Sequence, residues 1–151
     1  MSHDDLVLLG RVCVAFVCCF AVGFEREIRG AAAGDRTYAL VGLGAAAITV
    51  VTIHDAPQAI GGIVTGVGFI GASLVLRGQR GTLFGVTSAA SVFAITGIGV
   101  VAGSGHLVLA VLVTALVLLD LELRHIPGLR RLDAKRYSAM VESDDEMDGV
   151  S

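Results

Sequence analysis

Apolar residues in this chain fall into five long runs, Leu6–Phe24, Arg36–Ile53, Gln58–Leu76, Leu83–Ala102 and Leu107–Leu123, separated by short polar or glycine-containing breaks. Within a run, hydrophobic positions do not alternate with polar ones. Each run holds 17 to 20 residues, which at a helical rise of ~1.5 Å covers roughly 26–30 Å, the thickness of bilayer hydrocarbon. Helix is the conformation that fits, because repeated glycine weakens isolated strands and five short strands cannot close a barrel. The pattern therefore predicts an all-α integral membrane protein, a compact bundle of five transmembrane helices within residues 1–126. Residues 127–151 read as a cytoplasmic tail, basic and then acidic, too short and polar to build a core.

The breaks carry stop and start signals. Gly30 can close the first helix in a left-handed cap, and Asp35 can accept from the exposed N–H groups of the second. Arg77-Gly78-Gln79-Arg80-Gly81 and Gly103-Ser104-Gly105 read as tight turns, and Pro127-Gly128 stops the fifth helix. Loops this short predict antiparallel, adjacent neighbours.

Charge orients the bundle. Of the 11 Lys and Arg residues, ten lie in alternate segments: Arg26, Arg29 and Arg36; Arg77 and Arg80; Arg124, Arg130, Arg131, Lys135 and Arg136. The intervening segments, Met1–Asp5, His54–Pro57 and Gly103–His106, hold none. Translocated loops shed positive charge, so the N-terminus is expected outside and the C-terminus inside. Arg11, within the first run, is the exception, and its side chain is expected to snorkel outward, toward Asp4 or Asp5. The acidic start, Met1-Ser2-His3-Asp4-Asp5, argues against a cleavable signal peptide.

Mean hydropathy of +0.79 and 54% hydrophobic residues agree with a bilayer as solvent. The net charge of −3 and the acidic last ten residues offer nothing to nucleic acid. The three cysteines, Cys13, Cys18 and Cys19, share the first run and read as small apolar fillers rather than a disulfide. No nucleophile–His–acid set and no phosphate-cradling loop is present, so no enzyme is expected. His3, His54 and His106 fall on the outer face as ordinary interfacial residues.

Two groups of residues are candidates for function. The first is a polar cluster at the inner end of the first helix: Glu25, Arg26, Glu27 and Arg29, with Arg36 and Thr37 across the loop. A carboxylate at a helix C-terminus opposes the helix dipole at a cost of a few tenths to ~1 kcal/mol, so Glu25 and Glu27 need a reason. Pairing with Arg29 at i,i+4, or with Arg36, Arg77 or Arg80 across the inner rim, supplies one. Cation binding by Glu25 and Glu27 is the alternative. The second group is glycine-rich. Gly62, Gly66, Gly68 and Gly71 flank Phe69 in the third run, and Thr87, Ala89 and Ala90 open the fourth. Small residues allow helices to approach closely in lipid, and bare backbone can also line a permeation path. Asp120 and Arg124 form a further i,i+4 pair near the end of the last run.

Three motifs carry a resemblance. Gly23-Phe24-Glu25-Arg26-Glu27 with Ala33-Gly34-Asp35-Arg36-Thr37, then Ile63-Val64-Thr65-Gly66-Val67-Gly68-Phe69-Ile70-Gly71-Ala72, then Gly85-Val86-Thr87-Ser88-Ala89-Ala90-Ser91, resemble in order and spacing the membrane domain of the MgtC/SapB family. Departures are Asp35 for a usual Leu, Gln58 for Arg, Gly62 for Gln and Ser73 for Gly. The resemblance implies a bacterial inner-membrane protein in a short form, the membrane domain alone. It further implies a link to growth at low magnesium and, in pathogens, to survival inside phagocytes. A stress-adaptation role through contacts with itself, with lipids or with a larger membrane complex is the leading expectation, and transport of Mg²⁺ or another cation the alternative. No cofactor is expected beyond that Mg²⁺.

Overall fold

Helix ends set the frame of the molecule. A computed structural model describes residues 3–77 and 83–123. Five helices form, α1 (His3–Ile28), α2 (Asp35–Thr52), α3 (Ala59–Leu74), α4 (Val86–Gly103) and α5 (Leu107–Glu122), one in each apolar run. The tail 127–151, Arg80, and Arg124 of the Asp120–Arg124 pair lie outside the described residues. The chain divides after Leu118: one compact unit holds α1 to α4 and most of α5, and residues from Leu119 onward begin another.

Gly30 ends α1 as expected, with φ +66°. The Gly30 N–H donates to the Glu27 carbonyl and the Ala31 N–H to that of Arg26, each at 3.0 Å, the paired bonds that close a helix on a left-handed residue. The start of α2 differs from expectation. Gly34 is its N-cap, without a side-chain cap, and Asp35 lies inside the first turn, where its Oδ1 accepts from the Arg36 N–H at 2.5 Å. Leu76 and Leu83, read as helical from hydrophobicity, are instead extended. Leu76–Arg77 (β1) pairs antiparallel with Leu83–Phe84 (β2), Leu76 opposite Phe84. Apolar residues at the edge of a run carry no period that separates strand from helix. Gly85 makes the difference here: it sits at φ +84°, and any Cβ on it would collide with the Leu74 carbonyl.

The core is α1, α2 and α4. On α1 the stripe Ala15, Cys18, Cys19 and Val22 is buried at i, i+3, i+4, i+7 spacing. Cys19 donates through Sγ to the Ile95 carbonyl of α4, 3.4 Å away, and packs against Gly42 of α2. α2 and α4 run parallel, in register from Tyr38 beside Ser91 to Ala46 beside Gly103. A Cβ on Gly99 would strike the Gly42 carbonyl and lie 2.9 Å from Ala45 Cβ; one on Gly103 would lie 2.8 Å from the Ala46 carbonyl. These backbones touch because the residues between them are small, which is how helices associate where lipid supplies no hydrophobic drive.

α3 packs on α4 through Gly71 against Ala89 and meets α2 lightly. Short connection did not enforce tight adjacency of α2 and α3, because α4 occupies the face of α2 richest in small residues. Hydroxyls in the helices are satisfied locally: Thr49, Thr96 and Thr114 donate to carbonyls four residues back at 2.7–2.9 Å.

Among the described residues two helices, His3–Ile28 and Val86–Gly103, are long and apolar enough to cross a membrane, and Ala59–Leu74 is a shorter apolar helix. Outward faces carry Val17, Phe24, Leu40, Val51, Phe93 and Leu116 among many exposed large hydrophobics. Water does not tolerate such continuous apolar surface on a small monomer, whereas hydrocarbon does.

Candidate functional site

Three polar groups of the core, Glu25, Ser88 and Ser91, gather where α1 ends and α2 and α4 begin. Glu25 is only 9% exposed, on the face of α1 turned into the bundle. Its carboxylate meets two guanidinium groups of its own helix: Arg26 Nη1 lies 3.5 Å from Oε2 and Arg29 Nε 3.5 Å from Oε1. Neither carboxylate oxygen has a hydrogen-bond partner, nor does Arg26 Nε, among the described residues. The opposite charges attract at distances longer than a charge-assisted hydrogen bond. Removing one partner of such a buried pair is costly because the other charge stays behind.

Glu27, two residues on, points roughly 200° around the helix from Glu25. It is exposed, and its carboxylate lies against Gly34, in the space a side chain there would fill. A negative charge beside the first turn of α2 is favourable with respect to the helix dipole. The same carboxylate that opposes the dipole of α1 thus complements that of α2.

Tyr38, the largest fully buried side chain, lies next to the Glu25 cluster. Gly23 makes room for it: a Cβ on Gly23 would come within 2.7 Å of Tyr38 Cβ and of Asp35 Cα. The Tyr38 hydroxyl shares a 2.6 Å hydrogen bond with Ser91 Oγ, and Ser91 Oγ in turn can donate to the Ser88 carbonyl at 3.0 Å. Glu25 and Arg26 are both close enough to act on Tyr38 electrostatically. Three helices are therefore tied at one end by Glu25 and Arg26, Tyr38, and Ser88 with Ser91.

The structure brings Glu25, Arg26 and Arg29 together and leaves Arg36 and Thr37 exposed on the first turn of α2. Ala89 is half-buried against Gly71, while Thr87 and Ala90 are exposed. Gly62, Gly66 and Gly68 are exposed with nothing within 4 Å of a Cβ, and Phe69 is 82% exposed. Gly62 and Gly66 line an apolar groove of ≈480 Å³ between α2 and α3, together with Leu40, Gly44, Ile48 and Ile70.

Two residues matter more than sequence suggested. Tyr38 was not singled out, although a phenol in an apolar run needs a hydrogen-bond partner and so marks a contact. Arg11 finds a specific partner in the turn after α4: its Nη1 lies 3.5 Å from the Gly103 carbonyl, and its guanidinium packs over Gly105. There a cation sits at the C-terminus of α4, where the helix dipole favours it. The helical spacing gave no hint of this partner, 92 residues away.

Residues 12–126 match the profile of the MgtC family. The chain is 36% identical over 129 residues to YhiD of Escherichia coli (strain K12), provisionally named a magnesium transporter, with 76% of this chain and 59% of YhiD covered. It is 31% identical over 147 residues to Protein SrpB of Synechococcus elongatus, covering 85% of this chain and 78% of that one. It is 36% identical over 101 residues to Protein MgtC of Salmonella typhimurium, covering 64% and 43%. The chain thus spans less than two thirds of the length of YhiD and of Salmonella MgtC. No solved structure matches it.

Proposed function

This chain belongs to the MgtC family, and on that footing we propose a five-span protein of the bacterial inner membrane, N-terminus out, that serves adaptation to magnesium limitation. It acts without catalysis, by helix contact with itself or with a larger membrane complex. The observation that carries this reading is the setting of Glu25, whose buried carboxylate faces the guanidinium groups of Arg26 and Arg29 at 3.5 Å each. A carboxylate so engaged serves as a structural fastening. Gly68, with nothing within 4 Å, and the exposed Phe69 beside it, both outside the groove, supply contact surface.

Cation transport is the second reading. The name of YhiD favours it, as does the exposed backbone of Gly62, Gly66 and Gly68. Purified protein in liposomes separates the two. The contact reading expects no Mg²⁺ flux above empty vesicles, together with a membrane partner or second copy recovered by crosslinking in cells. Flux that Glu25→Gln abolishes without altering assembly would establish transport instead.

A further inference from the structure

The groove between α2 and α3 ends beneath a cation. Its α2 wall is the stripe Leu40, Gly44, Ile48, spaced at i, i+4, i+8. One turn back along that stripe stands Arg36, exposed, and beside it Thr37. Among the described residues no ion pair engages the Arg36 guanidinium, and the neighbouring Asp35 carboxylate turns back onto the Arg36 backbone N–H. The α3 wall is flattened by Gly62 and Gly66, above which nothing lies within 4 Å.

From this arrangement we infer that the groove binds one anionic phospholipid, an acyl chain lying between α2 and α3 and the phosphate on Arg36. Charge complementarity selects this occupant. The groove interior is apolar and opens sideways, as a hydrocarbon chain requires, and the only charge on its α2 stripe is a cation one turn beyond it. Helix ends at the membrane surface hold anionic lipid through such residues, each basic side chain contributing on the order of fivefold in affinity. Thr37 can add a hydroxyl donor to a phosphate oxygen. The inference rests on the membrane reading proposed above, but not on which face is cytoplasmic.

Native mass spectrometry of the full chain, released from detergent with equal phosphatidylglycerol and phosphatidylcholine, tests it. The protein should retain phosphatidylglycerol over phosphatidylcholine by about fivefold. Arg36→Gln should bring that ratio near one. Gly66→Leu, for which the structure leaves room, should lower retention of both lipids with helix content by circular dichroism unchanged; Gly44→Leu fills the opposite wall as an independent variant. Equal retention of the two lipids by the unmodified chain would overturn the inference, as would a preference that survives Arg36→Gln. So would groove-filling variants that bind lipid normally yet lose a dimer peak, because a second copy would then be the occupant. Recovery of the chain in the soluble fraction without detergent would instead remove the membrane reading itself.

Discussion

Tyr38 joins α2 to α4 through one hydroxyl, which shares a short hydrogen bond with Ser91 Oγ and lies 3.4 Å from the Ser88 carbonyl, so removing it isolates that hydroxyl's contribution. Tyr38→Phe should destabilise the fold by about 1 kcal/mol, since Ser91 keeps the Ser88 carbonyl as acceptor. The chain has no Trp, but the buried free thiols of Cys18 and Cys19 offer a reporter: their reaction with a thiol dye on heating should begin at lower temperature in the variant. Gly85→Ala should cost more than Tyr38→Phe by the same readout, because it combines a left-handed backbone with a collision at Leu74. At this scale the sequence was partly legible. Glu25 with Arg29 and the cap at Gly30 follow from local spacing alone. Asp35 does not cap α2: Gly34 takes the N-cap position, Asp35 falls inside the first turn, and the carboxylate lying against Gly34 is Glu27, delivered by α1. A short-range rule has no access to a side chain from another helix.

Among elements, the decisive contrast lies between two sets of glycines with the same sequence signature. Gly99-x-x-x-Gly103 on α4 meets the backbone of α2, whereas Gly62-x-x-x-Gly66 on α3 meets nothing within 4 Å. Gly99→Leu should therefore destabilise by at least the ~1–3 kcal/mol of an overpacked core, seen as early thiol exposure and loss of helical signal. Gly66→Leu should melt at or above the temperature of the unmodified chain, since leucine is also the better helix former. Equal melting of the two variants would contradict the packing described here. All five helices could be placed from apolar runs because their length and composition set them apart from their breaks. Which glycines are in contact could not, because the motif records small size on both faces and not the identity of the facing helix. The extended pairing of Leu76 with Phe84 and of Arg77 with Leu83 was likewise hidden, because Leu76 and Leu83 are apolar residues at the edges of apolar runs.

For the molecule as a whole, orientation is the property most open to direct measurement. With Cys13, Cys18 and Cys19 replaced by Ser or Ala, a single Cys at position 54 should react with a membrane-impermeant maleimide in intact cells, and one at position 29 only after lysis. The reverse pattern would invert the proposed topology. The overall assembly was less legible than its parts: α1 and α2 pack closely, as expected of consecutive helices, yet on its other side α2 prefers α4, its parallel neighbour two helices on, to α3. Short loops limit how far apart two helix ends lie and leave open which faces meet. That choice followed from the matched small residues Gly42, Ala45, Ala46, Gly99 and Gly103.

The two-way division of glycines turns saturation mutagenesis of this chain into a sorting experiment. Substitutions at Gly23, Gly42, Gly99 and Gly103 should deplete the protein itself, and cells would lose it before any phenotype could be read. At Gly62, Gly66 and Gly68 the polypeptide should accumulate normally. Any growth defect there would report an encounter outside the fold, and the pattern of tolerated side-chain sizes would trace the contour of whatever is encountered.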